Sequence, residues 1–162
     1  MSRTTYDLHG KVVVITGGSS GIGAATTAEM IRRGATVAVL DIDPNTPKTV
    51  SNRHSSAAVG LVANVTDRAD LDRAMAEVLG RFGRIDVVMA NAGVLARTGT
   101  LRNTPPDAIE ALFAVNINGV MNTVLAALPH VIAGRGQILL VSSVFAFLNG
   151  MGTIPYAMSK AA

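Results

Sequence analysis

Tyr156 and Lys160 stand four residues apart near the end of the chain, in Tyr156-Ala-Met-Ser-Lys160. On a helix that spacing puts both side chains on one face, a turn from each other. An ammonium held there favours the phenolate over the phenol. A phenol in that setting can give or take a proton near neutral pH, as a general acid/base must. An ordinary helical Tyr/Lys pair fits the same residues, so the chemistry depends on what stands upstream.

Upstream, Thr16-Gly-Gly-Ser-Ser-Gly-Ile-Gly23 follows the apolar run Val12–Ile15. Gly17, Gly21 and Gly23, with Ser19, Ser20 and Ile22 among them, let a backbone approach a pyrophosphate at a helix N-terminus. Their spacing is G-x3-G-x-G, which departs from the generic G-x-G-x-x-G fingerprint. Asp41 comes eighteen residues after Gly23, beside Ile42. An acid there can accept hydrogen bonds from adenosine ribose hydroxyls and repels a 2′-phosphate. Ser20 is uncharged and no arginine immediately follows Asp41, which favours NAD over NADP.

Further polar groups recur at intervals. Asn64-Val65 offers an amide to an adenine edge, and Asn91-Ala92-Gly93 offers a close backbone approach through Gly93. Taken singly, each is a turn former. The Ser143 hydroxyl could hydrogen-bond a substrate carbonyl or alcohol, whose oxygen Tyr156 would protonate as hydride arrives. Asn116 lies in Val-Asn-Ile-Asn-Gly, an odd place for asparagine inside a helical stretch.

The elements that must position these residues alternate regularly. Strands are predicted at Val12–Ile15, Thr36–Leu40, Val59–Ala63, Ile85–Met89 and Gln137–Val141. Helices are predicted at Ala24–Arg33, at Arg68–Phe82 capped by Asp67, and from Pro105-Pro106 to about His130. Residues 44–58 read as an irregular or weakly helical excursion, and Val94–Thr104 as a loop. This rhythm predicts a doubly wound parallel α/β sheet, with every motif at a strand's carboxyl end.

Composition narrows the function classes. At 162 residues, 49% hydrophobic and 15% charged, the chain is globular and is expected to form a single domain over residues 1–162. It has no cysteine, and His9, His54 and His130 lack ligand spacing, so no metal site is expected. The net charge of +3 is dispersed, which argues against nucleic acid. The N-terminus lacks an apolar signal core, and the longest apolar stretch, Gln137–Leu148, is interrupted by Ser142 and Ser143. A soluble cytoplasmic protein with no membrane association is the expectation.

Together, Thr16-Gly17-x3-Gly21-Ile22-Gly23, Asn91-Ala92-Gly93, Asn116, Ser143 and Tyr156-x3-Lys160 closely resemble the short-chain dehydrogenase/reductase family. The thirteen residues from Ser143 to Tyr156 match as well, and select Ser143 over Ser142. The resemblance runs from about Lys11 to the end of the chain. It implies a Rossmann sheet of order 3-2-1-4-5 and hydride transfer between NAD(H) and a small secondary alcohol or ketone. It also implies roles: Tyr156 as acid/base, Lys160 tuning it and holding the nicotinamide ribose, Ser143 polarising substrate, and Asn116 supporting a water-linked proton relay.

Two departures stand out. Asn64 takes a place where the family often has aspartate, and its carbonyl would keep an acceptor for the adenine amino group. The family also continues past the Tyr/Lys helix to two further strands, so the domain is expected to be C-terminally incomplete. Strand 5 is then expected as an exposed apolar edge (Ile138, Leu139, Leu140, Val141), with a barely begun six-residue helix from Pro155 to Lys160. The chain reads as the N-terminal portion of a longer enzyme, which would form homo-oligomers. The alternatives are a truncated nucleotide-binding protein without competent catalysis, or an epimerase or dehydratase. Leu95, Phe145, Phe147 and Met151 flank the expected site and suit an apolar substrate, or equally core packing.

Overall fold

The computed structural model describes residues 7–95, 100–148 and 154–162. Its centre is β1 (Val12–Thr16), a β-branched run with all five residues buried. Such a run suits a strand covered on both faces. β2 (Thr36–Asp41) and β3 (Ala58–Val62) lie to one side; β4 (Val87–Ala90) and β5 (Gln137–Leu140) lie to the other. All four pairings are parallel, and the order is β3-β2-β1-β4-β5. This is the doubly wound Rossmann sheet expected from the alternating pattern.

Alternation along the strands builds a core on each face. Val12, Val14, Ala38, Leu40 and Val88 pack with Leu71, Met75 and Val78 of α3 (Arg68–Phe82) and Ala126, Ala127 and Val131 of α5 (Gly119–Gly134). Val13, Ile15, Val37 and Val39 pack on the other face with Met30 and Ile31 of α1 (Gly21–Arg32) and Val50 of α2 (Thr46–His54). At the opposite end of the sheet from the motifs, the buried Asp86 carboxylate accepts from the Val12 N–H at 3.0 Å, Lys11 Nζ at 3.1 Å and Arg84 Nε at 2.7 Å. These bonds pin the start of β4 to β1, and β4 begins at Val87 rather than Ile85.

The structure departs from expectation in several places. The excursion after β2 is a true helix, α2, followed by a 3-10 turn at Ser55–Ala57. Pro47 falls in the first turn, where a missing N–H costs nothing. Gly60 admits the start of α2: a Cβ there would sit 2.5 Å from the Thr46 carbonyl oxygen. α1 begins at Gly21, so the glycine stretch itself forms its first turn. The long helix runs as α4 (Pro106–Phe113), a π turn over Ala114–Asn118, and α5. π turns inside α-helices frequently mark functional sites.

That continuous helical run spans Pro106–Gly134. At 29 residues, with a mean hydropathy of 1.6 over an 18-residue window, it is long and apolar enough to cross a membrane by length and composition. Its Thr123, Ala126, Ala127 and Val131 are buried in this fold, whereas Met121, Leu125, Leu128 and Ile132 are exposed. Among the described residues β5 pairs with β4 alone, leaving Leu139 42% and Leu140 61% exposed, the apolar edge the sequence suggests. α6 runs Ile154–Ala161, eight residues rather than six.

Candidate active site

The carboxyl ends of the strands open onto a cleft of about 730 Å³. It lies where the strand order reverses, between β1 and β4, the place where such sheets bind ligands. Glycines shape its floor. Gly17 has φ +65°, and a Cβ there would meet the Ala92 Cα at 2.8 Å. At Gly23 a Cβ would stand 2.2 Å from the Gly17 carbonyl oxygen. Gly21, at φ +51°, faces open space, with nothing within 4 Å of a Cβ. The N-cap residue Ser20 makes no side-chain cap, and α1 carries no acid in its first turn. Its free N–H groups therefore suit an anion.

Asn91 locks this loop from β4. Its Nδ2 donates to the carbonyls of Thr16 and Gly17, both at 3.0 Å. Thr16 Oγ1 in turn accepts from the Asn91 N–H at 3.1 Å and the Ala92 N–H at 3.2 Å. Thr16, only a loop flank in the sequence, thus joins the two strands at the cleft. Asn91 shapes the cradle as much as it lines it.

At the end of the cleft beside β2, the Asp41 carboxylate accepts from the Ser19 N–H at 3.1 Å and from the Ser19 hydroxyl. Asp41 and Ile42 line the cleft and Ser19 does not; Ser19 acts by holding Asp41. Arg53, near the end of α2, donates from Nη1 to the Ser19 carbonyl at 3.1 Å. An arginine is therefore brought to this corner, although none follows Asp41 closely in sequence. Asn64 and Val65 line the same end. Asn64 Oδ1 already accepts from the Thr66 N–H at 3.0 Å and the Thr66 hydroxyl at 2.9 Å. Its carbonyl is thus engaged within this turn, and its Nδ2 makes no hydrogen bond among the described residues.

The other end gathers Ser143, Tyr156 and Lys160 along the same wall as Gly93. Lys160 Nζ donates to the Val141 carbonyl at 3.0 Å and stands 6.0 Å from the centre of the Tyr156 ring. Burial pushes its ammonium below the usual lysine range. Tyr156 packs edge-on against Phe145, ring centres 6.0 Å apart. Ser143 starts the 3-10 turn Val144–Ala146, its Oγ accepting from the Phe145 N–H at 3.3 Å. Ser142, passed over on spacing, also lines the cleft and donates its hydroxyl to the Lys160 carbonyl at 2.7 Å.

Asn116 sits behind this wall rather than in it. It lies in the π turn, is buried, and is hydrogen-bonded through both amide atoms. Oδ1 accepts from the Val94 N–H at 2.8 Å; Nδ2 donates to the Val94 carbonyl at 2.9 Å and to Ser159 Oγ at 3.0 Å. The extra residue in the turn explains an asparagine at this point in the helix. Leu95 lines the cleft, whereas Phe147 is 86% exposed and does not; Met151 lies outside the described residues. Sequence reasoning did not single out Leu40, Ala63, Val94, Val115, Val141 and Val144, the apolar remainder of the lining.

Comparison with known proteins agrees with this geometry. The family model for short chain dehydrogenases matches residues 11–162, and the chain belongs to that family. A 3-phenylpropionate-dihydrodiol/cinnamic acid-dihydrodiol dehydrogenase from Escherichia coli O157:H7 is 35% identical over 158 residues, covering 95% of this chain. The chain spans 58% of the length of that curated relative. Among solved structures, a 3-ketoacyl-(acyl-carrier-protein) reductase from Brucella melitensis, complexed with NADH, superposes with a TM-score of 0.90 at 28% identity. That match covers 95% of this chain and 66% of the reductase. An NAD+-bound xylitol dehydrogenase shares the fold, with TM-score 0.88 at 24% identity over 96% of this chain and 61% of its own.

Proposed function

We propose that the chain acts as an NAD-dependent oxidoreductase that interconverts a secondary alcohol and a ketone. One observation carries the reading: a single cleft joins the glycine cradle and Asp41 at one end to Ser143, Tyr156 and Lys160 at the other. When bound, the nicotinamide supplies or accepts the hydride.

Gly17, Gly21, Ile22 and Gly23 would hold the pyrophosphate, with the free N–H groups of α1 opposing its charge. Asp41 would accept from the ribose hydroxyls, favouring NAD, while Ile42, Asn64 and Val65 would bound the adenine. Asn91, Ala92 and Gly93 would keep the floor low beneath the dinucleotide. A Cβ at Gly93 would come within 3.3 Å of Lys160 Nζ, so glycine leaves that ammonium room to reach a ribose.

On the reacting side, the Tyr156 hydroxyl donates a proton to the carbonyl oxygen, or takes one from the alcohol. Ser143 Oγ donates a hydrogen bond to the same oxygen and fixes its position. Lys160 offsets the charge left on the phenolate oxygen. Asn116 holds the Val94 loop and α6 in register; its side chain is committed, so any relay through this residue uses another of its groups. Apolar Val94, Leu95 and Val144 favour an apolar substrate.

The test is a titration of NAD followed by turnover assays on secondary alcohols and ketones. Tyr156→Phe should abolish turnover and leave NAD affinity within about twofold, because the hydroxyl acts on the substrate oxygen. Turnover by Tyr156→Phe at the unmodified rate would overturn the assignment. A nucleotide-binding protein without turnover is the second reading, favoured by the exposure of Val94, Leu95 and Val144, which leaves the reacting end open to water. NAD binding with no turnover on any substrate would support it.

A further inference from the structure

Asp41 lines the cleft, and Arg53, outside that lining, is connected to it through Ser19. Ser19 gives both its N–H and its hydroxyl to Asp41, and its carbonyl receives Arg53 Nη1 at 3.1 Å. Arg53 comes from α2, thirty-four residues along the chain from Ser19, and is exposed. Among the described residues it forms no ion pair. A guanidinium has five N–H donors, and this contact uses one. Its remaining donors make no other hydrogen bond among the described residues, and Ser19 is the one residue between them and the acid expected to read the adenosine ribose.

We propose that Arg53 is a specificity-determining residue: a 2′-phosphate-binding group whose effect Asp41 holds in check. The inference rests on the nucleotide-binding reading given above. The physical reason is a balance of neighbouring charges. A carboxylate at this corner repels a 2′-phosphate, and an arginine at the same corner attracts one. With the Asp41 side chain present and bound to Ser19, the acid dominates and the unphosphorylated ribose is preferred. With Asp41 neutralised, the free donors of Arg53 are left to meet the phosphate. Selectivity at this corner is thus set by two residues on different elements, and Ser19 couples them.

Calorimetric titration of the purified chain with ADP-ribose and with 2′-phospho-ADP-ribose isolates this corner, since neither ligand carries nicotinamide. Asp41→Asn should raise affinity for the 2′-phosphorylated ligand about tenfold, the value of one charge-assisted hydrogen bond. Asp41→Asn combined with Arg53→Ala should lose that gain, and Asp41→Asn combined with Arg53→Lys should keep part of it. Arg53→Ala alone should weaken the 2′-phosphorylated ligand more than ADP-ribose.

Equal weakening of both ligands by Arg53→Ala would make Arg53 a loop clip only and overturn the proposal. A gain that survives in the Asp41→Asn, Arg53→Ala double variant would do the same. Both results leave the nucleotide-binding reading standing. Failure of the unmodified chain to bind either ligand would overturn that reading and the proposal together.

Discussion

Asn116 Nδ2 and Ser159 Oγ are joined by a 3.0 Å hydrogen bond, linking the π turn to the helix that carries Tyr156 and Lys160. Ser159 passes the link on, donating to the Tyr156 carbonyl at 2.8 Å. The expected general acid is therefore held from below by a buried side chain that lines no part of the cleft. Ser159→Ala should lower stability by about 1 kcal/mol, the net worth of a typical hydrogen bond. Asn116→Ala should cost more, about 2–3 kcal/mol, because the two hydrogen bonds to the Val94 backbone are lost together with that to Ser159. Urea unfolding of the two variants checks the ranking, and equal costs would contradict it.

Gly21 and Gly23 should respond differently to alanine. At Gly21 a Cβ has room, so the cost is that of a left-handed backbone, about 1 kcal/mol. At Gly23 the same methyl would lie 2.2 Å from the Gly17 carbonyl oxygen and 2.7 Å from Asn91 Nδ2. Overpacking against backbone costs about 1–3 kcal/mol or more. Thermal melts should show Gly23→Ala as clearly the less stable variant, with nucleotide affinity falling in step as Asn91 is displaced.

Asp86 makes the acid limb of stability predictable in direction. Burial raises its pKa, but Arg84, the Val12 N–H and Lys11 outweigh that and hold the carboxyl below the usual aspartate range. A carboxyl depressed in the folded state contributes stability that is complete above its unfolded value. That contribution is lost as pH falls through the folded one. The unmodified chain should therefore exceed Asp86→Asn in stability at neutral pH, with the gap narrowing below about pH 4. Denaturant midpoints at the two pH values measure it; a gap that widens in acid would refute the sign.

Asn64 offers a test of polarity. Asn64→Asp keeps acceptors for Thr66 and should leave the fold intact, but it removes the Nδ2 donor. Asn64→Ala removes the turn's acceptor and should lower stability by about 1 kcal/mol. If the donor faces the adenine, adenosine nucleotides should bind more weakly to both variants. If the opposite polarity applies, Asn64→Asp should bind at least as tightly as the unmodified chain.

What could be read from sequence was what short-range rules govern. α3 ends where Asp67 and Gly83 say it should: the Asp67 carboxylate accepts from the Ala69 N–H at 2.9 Å, and Gly83 closes the helix at φ +74°. The unbroken β-branched run of β1 needs only burial on both faces. α2 was obscured because Pro44, Pro47 and many polar residues look like interruptions, while its support comes from Gly60 on another strand. Arg53 escaped notice because its partner, Ser19, lies far along the chain. The bonds from Thr66 that orient the Asn64 amide were not legible, because spacing alone does not reveal a side chain's direction. The π turn left a trace, two asparagines in an apolar helix, without the geometry that explains them.

The bonds between Thr16 and Asn91 span seventy-five residues. Such a junction has a high contact order, and contacts of that kind form slowly because a long loop must close first. β1 and α1 could assemble early from neighbouring residues, yet the cradle floor is finished only when β4 docks beside β1. Affinity for a dinucleotide should accordingly appear late in refolding, after most secondary structure has formed. A nucleotide present during folding would trap the last step and leave the earlier ones untouched.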